Sequence, residues 1–135
     1  MDNLATLCDQ FAGILRGKSK IGKGVCTVSF HRNLKVTVQG RPSTSVIPAS
    51  VLFESLDKKG IALNMSEIAV LESEIPVFMH SIIQQGLIVS ALHNHWLYMQ
   101  PTIMYIHIQS VEPPLDFARK LAYSFTLLST YPVAD

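Results

Sequence analysis

The residues best placed to do chemistry are His93 and His95, in the stretch Leu87-Ile88-Val89-Ser90-Ala91-Leu92-His93-Asn94-His95-Trp96-Leu97. Its apolar, β-branched run predicts a strand over residues 87–97. Alternate side chains leave a strand on opposite faces, so the two imidazoles point the same way, roughly 7 Å apart. Two neighbouring imidazoles on one rigid element suit a metal site or an acid/base site. A bound metal polarises a substrate oxygen or generates hydroxide near neutral pH. Without a metal, His93 serves as a base oriented by Glu74.

A third histidine, His107, falls in residues 102–109, the expected antiparallel partner after a turn at Tyr98-Met99-Gln100-Pro101. Facing residues of an antiparallel pair have a constant sum. A sum of 200 sets His93 opposite His107, whereas 199 sends His107 to the other side of the sheet, because a one-residue slip inverts every side chain. The acidic member is sought at Glu72 or Glu74. The candidate set is therefore His93, His95 and His107 as ligands of a divalent zinc, iron or manganese ion, with Glu74 as ligand or general base and one position left for water or substrate. The catalytic pair in this reading is Glu74 and His93.

These side chains must be positioned by the surrounding elements. Leu4, Leu7, Cys8, Phe11, Ile14 and Leu15 recur at helical spacing, predicting an N-terminal helix over 3–16 that Gly17 ends. The basic run from Arg16 to Lys23 reads as a solvated linker, and Gly22-Lys23-Gly24 as a hinge. Val25–Phe30 and Leu34–Val38 are expected to pair as a hairpin around a turn at His31-Arg32-Asn33, with 40–45 a loop. Residues 51–56 read as a short strand or a helical turn, and strand signals follow at 61–71. Pro76 suits the first turn of a helix that stops at Gly86, burying Ile75, Phe78, Met79 and Ile82 and leaving His80 exposed. Leu115, Ala118, Leu121, Ala122, Phe125 and Leu128 define a C-terminal amphipathic helix. The order strand–helix–strand–strand–helix gives an α+β fold: a mainly antiparallel sheet with helices packed on one face and a split βαβ-like C-terminal half.

At 135 residues the chain is expected to form a single domain, 1–135, with its core at 25–130. A net charge of +1 gives no electrostatic footprint for nucleic acid or an anionic membrane. No apolar run approaches the ~20 residues of a spanning helix. Cys8 and Cys26 form no C-x-x-C pair and are read as free thiols, which points to a reducing compartment and a cytoplasmic location. A hydrophobic content of 48% points to doubly buried strands or to a homodimer interface. No nucleophile elbow, Walker loop or dinucleotide fingerprint is present.

Ala91-Leu92-His93-Asn94-His95-Trp96-Leu97, followed by Pro101 and His107, resembles the Ala-Leu-His-Asn-His-Met-Leu segment of the LppY/LpqO family of bacterial proteins. Asn33-Leu34-Lys35-Val36 resembles that family's Asp-Leu-x-Val, Ser66-Glu67 stands at its Gly-Asp, and Glu74-Ile75-Pro76 resembles its Glu-Val-x-Pro. The likeness spans residues 25–128 and implies that His93, His95, His107 and Glu74 share one site. It implies no reaction. Two functions stay open: a metal-binding protein or small metal-dependent enzyme acting on a small-molecule ligand, and a non-catalytic ligand-binding or interaction module whose histidines are structural. Whether the chain is an enzyme is not decided by its sequence.

Overall fold

Burial alternates along Ala62–Ile68, and this strand, which runs on to Leu71, lies at the centre of the fold. The computed structural model describes residues 3–135. Helix α1 (Asn3–Leu15) precedes strands β1 (Ser19–Gly22), β2 (Val25–His31), β3 (Val36–Val38), β4 (Arg41–Ser43), β5 (Pro48–Glu54) and β6 (Ala62–Leu71). A 3-10 turn at Glu72–Glu74 leads into helix α2 (Ile75–Gln84), then β7 (Ile88–His93), β8 (Met99–Gln100), β9 (Ile103–Glu112), helix α3 (Pro114–Phe125) and β10 (Val133–Ala134). Among the described residues these form an antiparallel sheet in the order β1-β2-β5-β6-β9-β7, with β10 added to β2, and a small sheet β4-β3-β8. The expected α+β class is met. The C-terminal half is a split βαβ unit: β6 and β7 flank β9, which is antiparallel to both.

The three helices share one face of the large sheet. Phe11 and Leu15 of α1, Phe78 and Ile82 of α2, and Phe117, Leu121 and Phe125 of α3 pack against Val28, Val51, Ile68, Val70, Ile106 and Ile108. Phe125 stacks on Phe78 and meets Phe30 and Tyr131 edge-on, the arrangements aromatic rings favour. Between α2 and α3, Ser81, Ser124 and Gln85 satisfy one another in a buried hydrogen-bond network. The opposite face of β6 and β9 is covered at one end only. There Ala69, Ile103 and Tyr105 pack with Val36, Val46, Ile47 and Met99.

Several expectations need correction. Helix α1 ends near Gly17 as expected, but the left-handed residue is Arg16 (φ 66°), and a Cβ on Gly17 would overlap Val28 and Phe30. The presumed linker contains β1. It pairs with β2 through a tight turn in which Lys23 and Gly24 both take positive φ, as a two-residue hairpin requires. The expected pairing of 25–30 with 34–38 does not occur. After β2, Arg32 turns into the interior, and β3 joins the small sheet with β4 and β8. The expected loop at 40–45 contains β4.

Cys8 and Cys26 are not free. They form a disulfide that ties α1 to β2, with Cα atoms 5.7 Å apart. Neither a Cys-rich pattern nor a short spacing announces it, because the two sulfurs meet only once the helix lies on the sheet. Disulfides belong mainly to oxidising compartments. The inference of a reducing compartment, which rested on unpaired cysteines, loses its basis. Among the described residues no helix is long and apolar enough to cross a membrane.

Arg32 is fully buried and forms a bidentate pair with Glu74, at 2.9 and 2.7 Å. It also donates to the Ala69 carbonyl. Glu74 accepts further bonds from the Leu71 and Ser129 backbone N–H groups and the Ser129 hydroxyl. Burial alone would raise the Glu74 pKa. The bonds from Arg32, Leu71 and Ser129 outweigh it and lower the pKa to about 2. Because the folded value lies below the ordinary 4.5, the linked stability is present above pH 4.5 and is lost as pH falls towards about 2. The shift corresponds to about 3 kcal/mol. Urea denaturation from pH 7 to pH 2 should show this loss in the parent chain. In Glu74→Gln it should be reduced, with stability already lower at neutral pH by about 3–5 kcal/mol because Arg32 loses its counter-charge. An unchanged acid slope in the variant would remove Glu74 as its source.

Candidate metal centre

Strand β7 starts in one register and ends in another. Val89 faces Ile108, but Ala91 faces His107 and His93 faces Tyr105, so Ser90 is the extra residue of a bulge. The constant sum is 197 before Ser90 and 198 after it. At 197, His93 would oppose Met104, which packs with the helix-side core. The bulge turns His93 to the open face instead, where His107 also lies. The sum of 200 does not occur, but the observed one is also even, so His93 and His107 share a face as neighbours one rung apart.

β7 is shorter than expected and ends at His93, so the strand spacing does not apply to His95. Its ring instead stacks on Tyr105, centroids 4.0 Å apart and planes within 10°. Tyr105 is itself fixed, because its hydroxyl donates to the Val46 carbonyl at 2.6 Å. Burial pushes the Tyr105 phenol above its usual range. The Trp96 indole pulls it back, and the Glu67 carboxylate acts in the same direction as burial. The His93 ring centroid lies 4.8 Å from that of His95 and 5.0 Å from that of His107. One nitrogen from each of the three rings falls within 4.8 Å of the others, an arrangement that could hold a metal ion. His107 Nε2 is sealed from solvent and has no hydrogen-bond partner among the described residues.

The structure does not bring Glu74 to the histidines. Both of its oxygens are committed to Arg32, Leu71 and Ser129, leaving it unsuited to act as ligand or base. Glu72 is exposed and lies in the same turn. The carboxylate beside the histidines is Glu67. It faces His107 across the β6–β9 ladder, with Oε2 3.7 Å from His107 Nε2 and 3.8 Å from His95 Nε2. Ser50, Glu67, His107 and Ala91 form one rung across β5, β6, β9 and β7. The small Ala91 places no bulk at the end of that rung. A 190 Å³ hollow lined by Ser50, Leu52, Met65, Ser66, Glu67 and His107 opens beside the centre.

Tyr105 should therefore act as the platform for His95. Tyr105→Phe keeps the ring but leaves the Val46 carbonyl without its donor. It should lower stability by about 1–2 kcal/mol in urea denaturation. An unchanged midpoint would show that the hydroxyl anchors nothing.

No curated protein and no solved structure matches the chain. A family model described as Domain of Unknown Function (DUF1259) matches residues 9–126, a span that includes Glu67 and all three histidines. The chain belongs to that family.

Proposed function

We propose that this protein binds one divalent transition metal through His93, His95 and His107, and presents it to a small-molecule ligand in the adjoining hollow. The observation that carries this reading is the meeting of three imidazoles, one nitrogen of each within 4.8 Å of the others, at a histidine, His107, whose buried Nε2 has no hydrogen-bond partner among the described residues. A buried polar nitrogen left unsatisfied is costly, and coordination would offset that cost. It also weighs against a purely structural role, in which this nitrogen would hold a hydrogen bond. Metal–nitrogen bonds of about 2.0–2.1 Å place tetrahedral ligands about 3.4 Å apart, so the trio must contract to bind. His93 and His95 are exposed and sit at and beyond the end of an edge strand, where such movement is least hindered. Zinc, iron and manganese all accept imidazole with an oxygen donor. When bound, such an ion supplies a Lewis acid.

Elemental analysis of untagged protein purified without chelator should find close to one metal per chain, and His93→Ala should lose it. No metal in the parent chain, and none taken up on addition, would refute the reading.

A second reading, an interaction module, is supported by one observation. Trp96, Leu97 and Tyr98 beside the centre are 51%, 66% and 78% exposed. A homodimer joined there would cover them. A monomer by light scattering at micromolar concentration would exclude it.

A further inference from the structure

We infer that Glu67 is the carboxylate ligand of the three-histidine centre, an assignment that rests on the metal reading above. Glu67 lies on the open face of β6, directly opposite His107. Its Oε2 is 3.7 Å from His107 Nε2 and 3.8 Å from His95 Nε2. Both distances are too long for hydrogen bonds. Two ring nitrogens thus converge on one carboxylate oxygen without bonding it, and one of them, His107 Nε2, is buried with no hydrogen-bond partner among the described residues. Nitrogen and oxygen ligands about 2.0–2.2 Å from one ion lie about 3–3.5 Å apart. The carboxylate oxygen needs to close on each of the two nitrogens by only a few tenths of an ångström to meet that spacing.

Charge supports the same assignment. Three neutral imidazoles leave both charges of a divalent ion uncompensated, and a carboxylate in direct contact offsets one of them. Glu67 is free to do so. It is not drawn into the Arg32 network that holds Glu74, and its side chain is 35% exposed, at the rim of the hollow. That hollow is small. With two aliphatic side chains, Leu52 and Met65, and the Ser50 hydroxyl in its wall, it suits water or a small oxygen-bearing molecule with a short apolar part. Sequence reasoning placed the acid at Glu74 because that residue precedes the helix leading to the histidine strand. Glu67 comes to the site through the β6–β9 register alone.

The test is a Co(II) titration of metal-free protein, read by visible absorption, for the parent chain, Glu67→Ala and His93→Ala, with circular dichroism to verify folding. Glu67→Ala should bind Co(II) at least about tenfold more weakly and with a shifted ligand-field band, and added acetate should restore part of both. Glu67→Ala binding with an unchanged band, at any affinity, would overturn the assignment. If His93→Ala then still abolished binding, the three-histidine reading would stand alone. A parent chain that takes up no Co(II) would overturn both.

Discussion

The candidate centre depends on one extra residue in an edge strand. Ser90 breaks the pairing of β7 with β9, and every side chain beyond it changes face. Ile88 and Val89 keep the register that sets Val89 against the helix-side core, and His93 takes the register that sets it above Tyr105. The same strand thus contributes to the core at its start and to a polar site at its end. The uninterrupted β6–β9 ladder supplies the fixed reference, placing Glu67 opposite His107. His95 has no ladder to hold it and relies on the Tyr105 ring.

A second polar cluster has a different task. Arg32 and Glu74 meet in the interior, where the end of β6, the chain after β2 and the segment around Ser129 converge. Removing two charges from water is expensive, and only the full set of bonds around them offsets that cost. The pair specifies where three separate segments must meet. It also explains why the Glu74 carboxylate turns to Arg32 and Ser129.

The elements were legible in the sequence where one face was apolar and the period was clean. Residues 3–16, 25–30 and 61–71 and the helix after Pro76 read correctly for that reason, and the split βαβ order followed from them. What escaped was long-range. Arg32 reads as a turn residue because charged side chains seldom enter a core. The Cys8–Cys26 bond joins a helix to a strand and has no local signature. The hairpin expected between 25–30 and 34–38 failed because sequence adjacency does not reveal which strands pair. The bulge at Ser90 leaves no mark in a stretch of alternating small and apolar residues. Of the candidate centre, His93 and His107 were legible by type and strand face, and His95 by type alone, since β7 ends at His93. The nearness of Glu67 to them was not, since it meets His107 only through a register forty residues apart in the chain.

Among the described residues β7 has a paired neighbour on one side only, β9. Strands with a single partner open locally at lower free energy than central ones. His93 leaves with β7 when it opens, and His95 with the segment that follows, while His107 stays in the ladder with β6. Occupancy of the trio and closure of the edge strand are therefore linked. A ligand held by all three imidazoles would slow amide exchange along residues 88–93, and a partner paired with that free edge would tighten the hold of the imidazoles in turn.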